Sequence, residues 1–151
     1  MSEYQGVKFT VQGTPVAKGR PKFARRGKFT VAYTPKKTVN YETLVKFAFI
    51  QHVGADFKPF DCPLILRVNA YFPRPKSHYR TGKNAGILKD SAPQHMTNKP
   101  DWDNIGKITD ALNEVAFTDD KLIVTGIVSK HYSDRPRCEV EIDPIATPHS
   151  G

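Results

Sequence analysis

A chain of 151 residues with 23 Lys and Arg against 15 Asp and Glu carries a formal charge of +8. It is long enough for one self-sufficient domain over residues 1–151, and basic enough to make a polyanion the first partner to consider. No apolar run reaches the roughly 20 residues a bilayer crossing needs, and MSEYQGVKF lacks the basic start and apolar centre of an export signal, so no membrane partner and a cytoplasmic location are expected.

Residues 7–12, VKFTVQ, alternate apolar and polar as a half-buried strand does. A turn region with Gly13, Pro15 and Gly19 follows. Residues 28–34, KFTVAYT, are the second expected strand, with RRGK as the turn before it and Pro35 as its stop. Thr38 is placed to cap a helix running to about Val53. Tyr41, Leu44, Val45 and Ala48 recur on it at helical spacing, and Gly54 ends it. Residues 64–72, LILRVNAYF, alternate again, with Leu64, Leu66, Val68, Ala70 and Phe72 on one face. The stretch 73–100 holds Pro73, Pro75, Pro93 and Pro100 and little periodicity, and is expected to be a long, flexible, basic loop of the kind that is usually functional or disordered. A helix over 104–115, a β-rich run over 121–132, a strand at 137–142 and a frayed tail after 144 complete the chain. The order β-β-α-β-(long loop)-α-β-β describes an α+β domain, a mixed sheet carrying two main helices.

Two segments concentrate positive charge. Between Lys18 and Lys37 lie eight basic residues and no acidic one. Within it, Lys18, Arg20, Lys22, Arg25, Arg26 and Lys28 suit phosphate contacts that position a duplex without reading its bases, and Phe23 is interleaved with them. The long loop adds Arg74, Lys76 and Arg80 to this surface. GTPVAKGR lacks the Gly-Lys-Ser/Thr ending of a phosphate-cradling loop, so no nucleotide cofactor is expected. Cys62 and Cys138 form no CxxC pair and read as buried thiols, and His52, His78, His95 and His131 read as structural or solvated.

Against this background the stretch KPDWDNIGK is anomalous, with Asp101 and Asp103 flanking Trp102 immediately before a helix. In extended backbone residues two apart point the same way, so both carboxylates could face one ion, with Trp102 expected to face away, towards the core or a dimer contact. Asp119 and Asp120 form a second acidic pair after the helix, and meet the first only if the chain folds back. Converging carboxylates raise one another's pKa, and a hard divalent cation offsets the repulsion. Magnesium prefers a few carboxylates with its other positions left to water and phosphate oxygens. Lys107 lies four residues after Asp103 and three before Asp110. That spacing fits surface ion pairs, and equally an ammonium that holds a scissile phosphate. Helix capping accounts for one aspartate of the first pair but not for all four.

KPDWDNIGK, followed by DALNEVAFTDD, resembles the signature of the RusA-type Holliday junction resolvases common in prophages. VQGTPVAKGRPKF is similar to the family's first strand and basic loop, YTPKKTVNYE to its entry into the first helix, and the likeness spans about residues 7–142. The resemblance implies a homodimeric, Mg2+-dependent endonuclease, with Mn2+ as an alternative ion, that nicks four-way DNA junctions symmetrically. It implies Asp101, Asp103 and Asp120 as catalytic metal ligands with Asp119 beside them, and Lys107 as the catalytic lysine. The family's lysine stands four residues before the aspartate of D-A-L-N, whereas Lys107 stands three before Asp110. In a continuous α-helix that deletion turns everything after it by about 100°. The residues leave two rivals: a non-catalytic basic DNA-binding module, and a nuclease for another branched nucleic acid.

Overall fold

The computed structural model describes residues 5–19, 22–33 and 35–146, without the side chains of Arg26 and Ile108. The architecture is α+β. Four strands, β1 (Val7–Gln12), β4 (Leu64–Phe72), β5 (Ile123–Tyr132) and β6 (Arg137–Pro144), form a mixed sheet in the order β1-β6-β4-β5. Only β4 and β5 pair in parallel. Parallel neighbours need a long crossover, and here it is the stretch 73–122, which carries the short helix α2 (Trp102–Gly106).

The alternation expected of β1 and β4 is realised. Val7, Phe9 and Val11 and the five residues Leu64, Leu66, Val68, Ala70 and Phe72 point into one core with Cys138, Val140 and Ile142 of β6. Helix α1 (Lys36–Val53) covers it with Tyr41, Val45 and Phe49, a strict spacing of four. Phe49 sits edge-on to Phe9 of β1 and to Phe57 beyond the helix, each with ring centroids 5.3 Å apart. Gly54 ends the helix at φ 91°, its N–H donating to the Ile50 carbonyl at 2.8 Å.

Several expectations are corrected. Thr38 is not the cap of α1. The helix begins directly after Pro35, and Thr38 is buried with Oγ1 accepting a 2.9 Å hydrogen bond from the Gly19 N–H. Leu44 points to solvent and Phe49 takes its place in the core. The region before α1 holds two strands, β2 (Lys22–Arg26) and β3 (Phe29–Tyr33), paired only with each other around a turn at Gly27 and Lys28. β2 escaped notice because KFARR has too few apolar residues to alternate. The loop 73–100 has local order of its own. Tyr79 and Leu88 form an antiparallel bridge, Met96 is buried in the core, and short 3-10 turns occupy Lys76–His78 and Gly82–Asn84.

The second helix starts two residues earlier than expected and changes character at Lys107. Trp102–Gly106 is α-helical and Lys107–Leu112 is 3-10. Trp102 is 62% exposed, which removes the core reading for it. Gly106 lies against β5, where a Cβ would stand 3.2 Å from Val128 Cγ2, so the helix rides close on the strand at this glycine. After Leu112 the chain reverses, with Glu114 at φ 67° and its N–H bonded to the Phe117 carbonyl at 2.8 Å. Of the tail expected to fray after 144, Ile145 is tied in, its N–H donating to the Pro63 carbonyl at 2.9 Å, while residues 147–151, and Arg20 with its expected contact, lie outside the described residues. Among the described residues no helix is long and apolar enough to cross a membrane.

Candidate active site

Asp101 occupies the position before the first turn of α2, but its carboxylate makes no capping hydrogen bond. Asp103 lies in the first turn, where the helix dipole favours a negative charge. Asp101, Asp103 and Lys107 are all exposed. Among the described residues no basic side chain pairs with Asp101, Asp103, Asp119 or Asp120, and Lys107 forms no ion pair either. The surface salt bridges that its spacing permits are not formed among these residues. Asp110, which that reading assigned to Lys107, instead accepts a 2.9 Å hydrogen bond from Lys18 Nζ.

The chain does fold back after α2. Its reversal at 113–117 is tied to the sheet side by Phe60, whose N–H donates to the Ala116 carbonyl at 2.8 Å and whose carbonyl accepts from the Thr118 N–H at 3.0 Å. The two carboxyls of the second pair then meet each other. Asp119 caps the 3-10 turn that follows, its Oδ1 accepting from the Lys121 N–H at 2.9 Å. That backbone bond holds the Asp119 carboxyl below the usual range, and its bond to Asp119 holds the Asp120 carboxyl above it, with Asp110 adding to the repulsion. Asp119 thus has a structural job, and Asp120 is the member of the pair whose charge lacks a partner among the described residues.

Asp101, Asp103 and Asp120 fit a hard divalent cation in kind: carboxylate oxygens, exposed and without an ion-pair partner among the described residues. Among the described residues no three His, Cys, Asp or Glu side chains converge on one point. The structure brings Asp119 to Asp120, and Asp110 near Asp120, while Asp101 and Asp103 stand at the start of α2. A cleft of ≈ 520 Å³ opens beside Asp101, lined also by Lys99, Pro100 and Asn104.

Residues that sequence reasoning passed over fix this cleft. Lys130 stands on the core-side register of β5, opposite Ala70. Its Nζ donates to the carbonyls of Asn98 at 2.7 Å and Pro100 at 3.1 Å, clamping the backbone just ahead of Asp101. Tyr132, two residues on, receives the Asn98 Nδ2 donor at 3.4 Å on its hydroxyl and the Arg74 guanidinium 4.7 Å over its ring. Arg74 also donates to the Pro93 carbonyl at 2.6 Å, and Arg80 pairs with Asp90 at 3.4 Å, so two cations expected on DNA brace the long loop. Lys76 is exposed. A lysine in an inward register was the available signal for Lys130, since a buried-side ammonium must find acceptors.

Lys18 is held where the basic loop meets the helices. Its backbone N–H donates to the Asn104 carbonyl at 3.1 Å, and the hydrogen bond to Asp110 raises its pKa. The basic segment is thereby fastened to the helix that bears Asp103 and Lys107. Lys22, Arg25 and Lys28 stand exposed on the β2–β3 hairpin.

Lys18, at the start of the basic segment, is thus bonded to the helix whose first turn carries Asp103. The family model described as Endodeoxyribonuclease RusA matches residues 12–143, and the chain belongs to that family, whose members act on Holliday junction DNA. It is also 35% identical over 144 residues, 93% of this chain and 97% of the relative, to the Bacillus subtilis (strain 168) protein YqaN, itself described as uncharacterized.

Proposed function

We propose that this chain is a Mg2+-dependent endodeoxyribonuclease that resolves four-way DNA junctions by paired symmetric nicks, acting in the cytoplasm as a homodimer. The observation that carries the reading is the pair Asp101 and Asp103, exposed at the start of α2 with neither a capping bond nor a cation to explain them, in a chain of this family. Asp101 and Asp103 would hold the metal, with Asp120, and Asp119 beside it, joining them only once the two acidic pairs are drawn together, since among the described residues no three carboxylates converge on one point. The ion, when bound, polarises the scissile phosphate and makes water a better nucleophile. Water would attack phosphorus in line and give up a proton to solvent, the bond to the leaving oxygen would break, and that oxygen would take a proton from solvent. Lys107 holds a non-bridging phosphate oxygen and offsets the charge that builds there. Two subunits related by a two-fold axis supply two such sites to a substrate of approximate two-fold symmetry.

The direct test incubates the protein with a synthetic immobile four-way junction and Mg2+, beside a linear duplex of the same sequence. Paired nicks in the junction alone support the reading. Binding without cleavage favours a basic DNA-binding module, and faster cleavage of a flap or a three-way junction favours a different branched substrate.

The Lys130 clamp makes a separate demand. A group that positions a metal ligand typically contributes 10- to 100-fold to metal affinity or activity. Lys130→Met is therefore expected to raise the Mg2+ concentration for half-maximal nicking by about 10-fold or more, with Lys130→Arg recovering part of the loss. Titration of nicking against Mg2+, with Mn2+ binding followed by electron paramagnetic resonance, checks it. An unaltered metal dependence would show that Asp101 does not rely on the clamp.

Phosphate contacts release counterions, so affinity should fall steeply with salt. Replacing Lys22 and Arg25 together with Ala should flatten the log–log salt slope by roughly 1–2 units, at about 0.9 for each phosphate left unneutralised. Fluorescence anisotropy of a labelled duplex across salt concentrations reads the slope directly, and an unchanged slope would detach the hairpin from the DNA backbone.

A further inference from the structure

Hydrolysis as proposed has no use for the apolar side chains of the β2–β3 ribbon, yet they are conspicuous. The two strands form a sheet separate from the main one, and an isolated two-stranded hairpin is marginal in water. Phe29 is 76% and Phe23 70% exposed, more than any other large apolar side chain among the described residues. Burying one such ring is worth about 1.5–3 kcal/mol, so leaving two in water calls for an occupant.

Register shows how they are arranged. Phe29 lies opposite Arg26, next to the turn, and Phe23 lies opposite Ala32. By strand alternation Phe29 shares its face with Val31 and Tyr33, and Phe23 shares the other face with Arg25. The ribbon thus presents an aromatic ring on each of its two faces. Around them stand Lys22, Arg25 and Lys28, and no acidic residue occurs from Lys18 to Tyr41. A second copy of this chain would bring the same cations to the same place, which opposes self-association through the ribbon. Rings set among uncompensated cations are the chemistry that holds unstacked bases, stacking on their π-faces while the charges meet phosphates.

We propose that the β2–β3 ribbon reads the branch itself: Phe29 and Phe23 stack on the base-pair faces laid open at the centre of a four-way junction, one from each side of the ribbon. The inference rests on the junction reading above and adds the group that tells a junction from a duplex. Within a continuous duplex each base pair is covered by its neighbours, and only a branch, a nick or an end uncovers a π-face. Stacking therefore selects structure without reading sequence.

The test places 2-aminopurine at the branch point of an immobile junction, or in mid-arm as control, and binds the protein without divalent metal. Wild type should change the branch-point fluorescence and leave the mid-arm signal unaltered. Phe29→Ala should lose most of that change and lower the junction-over-duplex affinity ratio by about 10-fold, with Phe23→Ala adding to it and Phe29→Trp preserving both. A Phe29→Ala protein with full branch-point signal and junction preference would overturn the proposal. So would a Phe29→Ala protein that sediments at half the wild-type mass, which would make a second subunit the occupant. Wild-type protein that binds junction and duplex equally would instead sink the junction reading itself.

Discussion

Asp101→Asn and Asp103→Asn should each abolish junction nicking while leaving junction binding intact or tighter. Loss of a metal ligand removes several kcal/mol of transition-state stabilisation, and about 3–4 kcal/mol corresponds to a fall on the order of 100- to 1000-fold in single-turnover rate. Binding moves the other way because an unneutralised carboxylate repels phosphate in the absence of metal. Neither side chain caps α2 or pairs with a cation among the described residues, so thermal unfolding should change little. Rates measured with saturating enzyme in Mg2+, next to gel-shift affinities in EDTA, separate the two effects. A variant that cleaved at near wild-type rate would remove these residues from the metal site.

Lys107→Ala should act on the same rate by a different route. The ammonium has no ion pair among the described residues, so its removal should cost well under about 1 kcal/mol of stability. If it meets the charge developing at the scissile phosphate, the cleavage rate should fall on the order of 100-fold, or about 2.7 kcal/mol. Junction affinity should hardly move, since one cation among 23 contributes little. Lys107→Arg should rescue only in part, because a planar guanidinium does not replace a compact ammonium in a crowded anionic site. Cleavage within a few-fold of wild type by Lys107→Ala would leave this lysine as ordinary surface charge.

What could be read from the sequence was whatever its periodicity stated. β1, β4 and β6 alternate so cleanly that their core residues follow from spacing alone. The acidic motif was legible too, because carboxylates in a basic chain need a reason. The misses came from interactions between distant segments. Thr38 looks like a cap locally, but Gly19 recruits its hydroxyl from outside the helix. Asp110 sits where Lys107 can reach it in sequence, and Lys18 takes it from 92 residues away. Lys130 and Tyr132 act on a loop some thirty residues earlier, and nothing in the composition of that loop says which strand it will lean on.

The change of winding at Lys107 bears on the one-residue deficit that the resemblance implies between it and Asp110. An α-helix climbs about 1.5 Å per residue and turns about 100°, whereas a 3-10 helix climbs about 2.0 Å and turns about 120°. Three 3-10 steps therefore cover about 6 Å, the same height as four α-helical steps, and end within about 40° of the same bearing. The segment Lys107–Leu112 is 3-10 throughout. A residue dropped from the count would be returned as extension of the spiral, and ideal geometry would set Asp110 above Lys107 at about the height that four α-helical steps give. Along such a motif a spacing can be kept as a length, which a tally of letters does not measure.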